Sequence, residues 1–245
     1  MTETPPLTFD DAVRIAEADP AVVGLFLIGS NAMEGLTTEH SDHDLFIITA
    51  AGAATELERH DGLRSPTLDL NFVAVDDLLN DVLPEYVRYA LARSRVVLDR
   101  TDGELTAYLE GKARLDPQQA FEHADEILDA YANSLYRSVK NHRDGRALAS
   151  RLDAADGVGY LLELLFALER RPRPYNKCLE WELEHHPLPG WETATLLDAI
   201  SRIVDTGDTD VQRGLFAEME AKARKAGHAK TLDGWGDDLH LMRPV

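Results

Sequence analysis

Basic residues are what this sequence is short of: 25 Lys and Arg stand against 44 Asp and Glu, a formal charge of -19. A surface of that sign repels the nucleic-acid backbone, which proteins bind with clustered Lys and Arg. DNA and RNA are therefore disfavoured as partners. Cysteine is nearly absent, and the single Cys178 excludes an intramolecular disulfide and any multi-cysteine metal site. No apolar run approaches the roughly 20 residues a membrane helix needs; the longest spans residues 21–29. The opening MTETPPLTFDD has neither the basic segment nor the apolar core of a secretory signal. The expectation is a cytoplasmic protein without a membrane partner. Internal repeats and low-complexity segments are also missing.

What is present divides into two patterns. TFDDAVRIAEA reads as a helix, with Thr8 as its N-cap, acids in the first turn and a stop before Pro20. AVVGLFLIG and HDLFIITA are short, continuously apolar runs suited to buried strands, and TLDLNFVAV alternates like a third. GAATELERHDG between the last two reads as a helix or turn-helix. DDLLNDVLPEYVRYALARS reads as helix broken near Pro84, and RVVLD as a short fourth strand. From about Asp116 onwards the pattern is helical throughout. A long helix starts at Pro117 and stops before Gly145, a second follows over ALASRLDAADGVGYLLELLFALERR, and two more lie around WETATLLDAISRIVD and DVQRGLFAEMEAKARKAG. The fold class is therefore α+β: an α/β domain over residues 1–114 and an all-α bundle over residues 115–245.

The chemistry is concentrated in GLFLIGSNAMEGLTTEHSDHDLFIIT, residues 24–49. Side chains two apart on a strand share a face, so Asp42 and Asp44 project together at the mouth of an apolar strand. Buried-strand acids are costly unless neutralised, and hard oxygen ligands suit Mg²⁺ or Mn²⁺. Asp69 is a third acid, flanked by apolar residues in the next strand. If those strands are neighbours, three carboxylates converge, which is the ligand set of two-metal phosphoryl chemistry. Gly29-Ser30 would then close a strand at the start of a short helix, where backbone N–H groups favour phosphate and glycine permits close approach. A lone Asp-x-Asp is a weak signal. The ordered set of strand, Gly-Ser, spacer, Ser-Asp-x-Asp, strand and third acid is specific.

These residues resemble the signature of the polymerase-β-like nucleotidyltransferase superfamily, in which Gly-Ser precedes an Asp-x-Asp pair and a third acid follows. The resemblance covers roughly residues 20–100. It implies a mixed sheet flanked by helices, with two Mg²⁺ ions as cofactors and ATP or another NTP as co-substrate. It further implies transfer of a nucleoside monophosphate to an acceptor with release of pyrophosphate. Asp42 and Asp44 would bind both metals, and Asp69, also a ligand, would help to activate the acceptor hydroxyl. His43 departs from the pattern by filling a slot that is more often apolar. An α/β module followed by helices is similar to the aminoglycoside and other antibiotic nucleotidyltransferases, and to minimal nucleotidyltransferases associated with HEPN helical domains. The first likeness implies a small-molecule acceptor and antibiotic resistance; the second implies a protein acceptor, as in an antitoxin. A nucleotide-binding module without chemistry is a third reading, opposed by the presence of all three acids. Monomer and homodimer both stay open.

In the helical half, LERRPRPYNKCLEWELEHHP crowds three Arg, a Lys and a Tyr into one connection. Lys177 is the candidate phosphate contact, and Tyr175 the candidate to stack on a base or bond a phosphate oxygen. The basic residues also suit a helix C-terminus. Glu163 lies opposite the apolar face of its helix and is the candidate general base, a role some antibiotic nucleotidyltransferases give to a helical-domain carboxylate. The alternative is a solvent-facing Glu. Arg137 and His142 match the Arg-x4-His spacing of HEPN ribonucleases, although five residues along a helix set the side chains apart in angle. Trp181, Trp191 and Trp235 read as packing residues.

Overall fold

The computed structural model describes residues 6–245; Met1–Pro5, part of the opening segment read above for a signal, lie outside the described residues. Two compact units follow one another, the first up to Ala113 and the second from Arg114.

In the first unit α1 (Phe9–Ala18) is capped by the Thr8 hydroxyl, which accepts from the Asp11 N–H. It leads into β1 (Val22–Ile28), and after a 3-10 turn at Ser30–Ala32 the chain returns as β2 (His43–Thr49). β3 (Leu68–Ala74) runs directly into α2 (Val75–Leu79); α3 (Arg88–Ala92), β4 (Arg95–Asp99) and α4 (Glu104–Gly111) complete the unit. The sheet order is β3-β2-β1-β4, with β1 antiparallel to β2 and β4, and β2 parallel to β3. The sheet is therefore mixed, as expected. The segment GAATELERHDG forms only a 3-10 turn over Glu56–His60, started by the Thr55 hydroxyl.

Both faces of the sheet are covered, which is why β1 and β2 read as unbroken apolar runs. Leu25, Leu27, Leu45, Ile47, Leu68 and Leu70 pack with Ala12 and Ala16 of α1. Phe26, Phe46 and Ile48 pack on the other face with Leu78, Leu91, Leu105 and Leu109 of the later helices. His43, the departure from the family pattern, lies beneath the Phe9 ring at a centroid distance of 4.4 Å. Its imidazole serves there as a flat packing surface, so an aromatic stack replaces the apolar contact.

Asp99 closes β4 and holds the start of α4. Its two carboxylate oxygens accept from the N–H and hydroxyl of Thr101 and of Thr106. Burial by itself would raise its pKa, but these four bonds outweigh that and hold it down at about 2. A depressed folded-state value stabilises the fold above the unfolded carboxylate's 3.8, and that stability is lost as pH falls through about 2. We expect Asp99→Asn to cost about 1–2 kcal/mol at pH 7, after allowance for solvent screening. The penalty should shrink steadily between pH 4 and about 2. Thermal denaturation at several pH values checks this; a penalty constant with pH would refute it.

The second unit is helical: α5 (Pro117–Arg143), α6 (Ala147–Leu168), α7 (Leu179–His185), α8 (Thr193–Thr206), α9 (Thr209–Ala226), α10 (Ala229–Asp233) and α11 (Leu239–Met242). Asp116 caps α5 by accepting from the N–H groups of Gln118 and Gln119, with Pro117 at the first helical position. The short link 144–146 folds α6 back along α5. Leu128, Tyr131, Leu135, Leu161, Leu165 and Phe166 form their seam, joined by Phe216 and Met219 of α9. Trp191 and Trp235 pack against this core. Among the described residues no helix is long and apolar enough to cross a membrane.

Candidate active site

The parallel pairing of β2 and β3 sets Asp44 directly opposite Asp69, and the antiparallel pairing of β1 and β2 sets Ile28 opposite Asp44. Asp44 shares the face of Phe46 and Ile48 by the two-residue period, and Asp69 that of Val73. The acids therefore continue an apolar face at the end of the sheet. Asp42 lies just before β2, and its carbonyl accepts from the Asn31 side-chain amide at 2.6 Å. One carboxylate oxygen from each of Asp42, Asp44 and Asp69 lies within 4.8 Å of the others, and all three residues are half-buried. Three like charges so close repel one another strongly unless a cation is shared.

The Gly29–Ala32 turn is fastened to the acids. The Ser30 hydroxyl donates to the Ser41 hydroxyl at 2.9 Å, and Ser41 accepts from the Thr38 N–H. Gly29 has φ +72° and ψ -161°, a conformation restricted essentially to glycine. A Cβ there would lie 2.5 Å from Asp44 Oδ2. The bare Cα thus makes the space in which the Asp44 carboxylate sits. Sequence reasoning placed the Gly-Ser turn and the acids in one site; this contact between them has no sequence signal beyond the glycine itself. Asn31 was also missed, although it adjoins the motif, and Ser41 was read as part of the motif without a role of its own. Arg64, whose Nε lies 3.3 Å from Asp69 Oδ2, was missed with no signal at all, since it sits in an unpatterned loop.

Glu163, Tyr175 and Lys177 belong to the second unit. Glu163 is half-buried; its Oε1 shares a hydrogen bond with His123 Nε2 at 3.0 Å, and its Oε2 lies 4.0 Å from Arg173 Nε. It lines a groove with Ile127, Asp156, Tyr160 and Arg173. Glu163 is thus partnered within its own unit. Tyr175 and Lys177 are exposed.

The basic cluster around Tyr175 and Lys177 is largely committed to structure. Arg170 donates to the Leu115 carbonyl, Arg171 pairs with the buried Glu182, and Arg173 Nη2 donates to Asn176. Glu182 is 1% exposed, so its charge depends on the guanidinium. We expect Arg171→Ala to destabilise the protein by about 3–5 kcal/mol, whereas Arg171→Met with Glu182→Leu recovers most of the loss. Urea denaturation of the three proteins decides it; equal loss in the double variant would refute the ion-pair explanation.

Arg137 and His142 have different surroundings. Arg137 pairs with Asp153 at 2.9 Å, while His142 lines a separate pocket with Ser150, Arg151 and residues 206–210.

No family model matches this chain, and no curated protein matches it. Among solved structures it is similar to a nucleotidyltransferase-like protein from Exiguobacterium sibiricum 255-15. The identity is 10%, the TM-score 0.41, and the likeness covers 93% of this chain and 78% of that one. At that distance it carries no argument, and the functional reading rests on the residues of the site.

Proposed function

We propose that this protein is a divalent-metal-dependent nucleotidyltransferase that transfers AMP from ATP to a hydroxyl of a small-molecule acceptor and releases pyrophosphate. The observation that carries the reading is the convergence of Asp42, Asp44 and Asp69 within 4.8 Å, against a Gly29 whose missing side chain makes room for Asp44. The residues fit Mg²⁺ or Mn²⁺: all three donors are hard carboxylate oxygens, and among the described residues no sulfur or imidazole ligand stands with them. When bound, such ions supply charge neutralisation for the triphosphate and activation of an attacking oxygen.

The chain's own residues do the rest. Asp42 and Asp44 would hold the ions, and Asp69 would share in that and take up the proton of the acceptor hydroxyl. The Gly29-Ser30 turn would receive the phosphate oxygens through its backbone N–H groups. Glu163 as a second candidate base, and Tyr175 and Lys177 as nucleotide contacts, stay in the proposal on their chemistry alone. An aminoglycoside-like polycation suits a chain of net charge -19.

The test is pyrophosphate release from each of the four NTPs with Mg²⁺, across a panel of acceptors that includes aminoglycosides. Release that needs one acceptor class supports the reading and names the class. Binding of NTP with no release from any small acceptor moves the acceptor to a protein side chain, to be sought as a mass gain on a partner or on the chain itself. Absence of both binding and release sinks the proposal.

A further inference from the structure

Arg64 is an exposed arginine that is nonetheless held at nearly every nitrogen. Its Nη1 donates to the Leu63 and Leu70 carbonyls, each at 2.9 Å, and its Nη2 donates to Asn71 Oδ1 at 2.8 Å. The remaining nitrogen, Nε, lies 3.3 Å from Asp69 Oδ2. Two of these acceptors, Leu70 O and Asn71 Oδ1, belong to β3 itself. The segment around Arg64 pairs antiparallel with the start of β3, through the Leu70 N–H to the Leu63 carbonyl and an isolated bridge between Arg64 and Asp69. From the same segment the Ser65 N–H donates to the other Asp69 oxygen, Oδ1, at 3.1 Å. One short stretch of chain therefore contacts both oxygens of the third acid, Ser65 through a hydrogen bond to Oδ1 and Arg64 through an ion pair with Oδ2.

A carboxylate has about four lone-pair positions, so two contacts leave acceptor capacity for a cation. What they remove is rotation of the carboxylate plane. A guanidinium fork pinned by three other acceptors is well suited to this, because its planar geometry fixes where Nε points. Partners behind a ligating carboxylate commonly matter 10–100-fold, as an order of magnitude, through orientation.

We propose that Arg64 is a positioning residue that sets the orientation of Asp69 for nucleotidyl transfer, with Ser65 as its backbone partner and Asn71 as its anchor. The proposal rests on the nucleotidyltransferase reading. It separates charge from geometry: the positive charge of Arg64 opposes cation binding at the triad, while its fixed geometry serves the reaction. Loss of Arg64 must therefore slow turnover without weakening cation binding.

The experiment measures Mn²⁺ binding by calorimetry, in the presence of a non-hydrolysable ATP analogue, alongside kcat and KM for the acceptor-dependent reaction. For Arg64→Gln we expect Mn²⁺ affinity equal to or tighter than wild type, kcat lower by about 10–100-fold, and KM for NTP within about threefold. Arg64→Lys keeps the charge without the fork, and its kcat should fall between the two. Asn71→Ala releases the guanidinium without altering charge, so kcat should drop while Mn²⁺ affinity stays at the wild-type value. Turnover of Arg64→Gln within twofold of wild type would overturn the proposal. So would a parallel loss of Mn²⁺ binding and turnover, which would make Arg64 a structural support of its loop. Failure of wild-type protein to bind Mn²⁺ in a manner abolished by Asp42→Asn would overturn the nucleotidyltransferase reading as well, and is distinguishable because it appears before any Arg64 variant is made.

Discussion

Asp42→Asn is expected to lower acceptor-dependent pyrophosphate release by about a thousandfold or more, roughly 4 kcal/mol of transition-state free energy. The same change is expected to leave the metal-free protein at least as stable as wild type. The two effects share one cause. Three carboxylate oxygens within 4.8 Å make a site whose repulsion is tolerated for the cations it can hold, so neutralising one acid relieves the metal-free fold while removing a ligand. Thermal unfolding with EDTA and then with excess Mg²⁺ gives the independent check. Wild type should gain stability on adding the ion through ligand linkage, and Asp42→Asn should gain little. A variant that loses activity because it has lost its fold would instead melt lower under both conditions, and that result would remove the triad as the explanation.

The second large effect is expected from a single methyl group. Gly29→Ala places a Cβ 2.5 Å from Asp44 Oδ2 on a backbone with φ +72°. The backbone strain is about 1–3 kcal/mol, which for a chain of this size lowers the melting temperature on the order of 2–12 °C. The activity loss should be far larger, about a hundredfold or more, because relief of the clash moves a carboxylate proposed to bind the metal, and a small misplacement at a reacting centre is magnified in rate. Steady-state kinetics beside a melting curve separate the two terms. If kcat stays within about threefold of wild type while the melting temperature drops, Gly29 serves only the turn and the close approach to Asp44 has no part in turnover.

Much of the fold was legible because its elements obey local rules. The apolar runs of β1 and β2, the Thr8 and Asp116 caps, and Pro117 at the first position of α5 are signals contained within a few residues. Segments with mixed signals were read less well. GAATELERHDG has helix-forming residues but yields a single 3-10 turn, and the three arginines near Tyr175 and Lys177 serve a carbonyl, a buried Glu and a side-chain amide. Sequence proximity says where charges are, and only burial says which of them must be neutralised internally. Glu182, at 1% exposure, claims Arg171 for that reason.

The sequence by itself determined the α+β class, the two acids at the mouth of a strand with a third in the next, and the glycine turn before them, since each follows from period, composition and spacing along the chain. Only the tertiary structure decided that β2 and β3 lie parallel with Asp44 opposite Asp69, that Asp44 occupies the space over Gly29, and that Arg64 grips the third acid. Strand register and the packing of a loop on a sheet edge depend on contacts between residues far apart in the chain, and no local pattern encodes which of several pairings buries the most apolar surface while leaving the three carboxylates together at the end of the sheet.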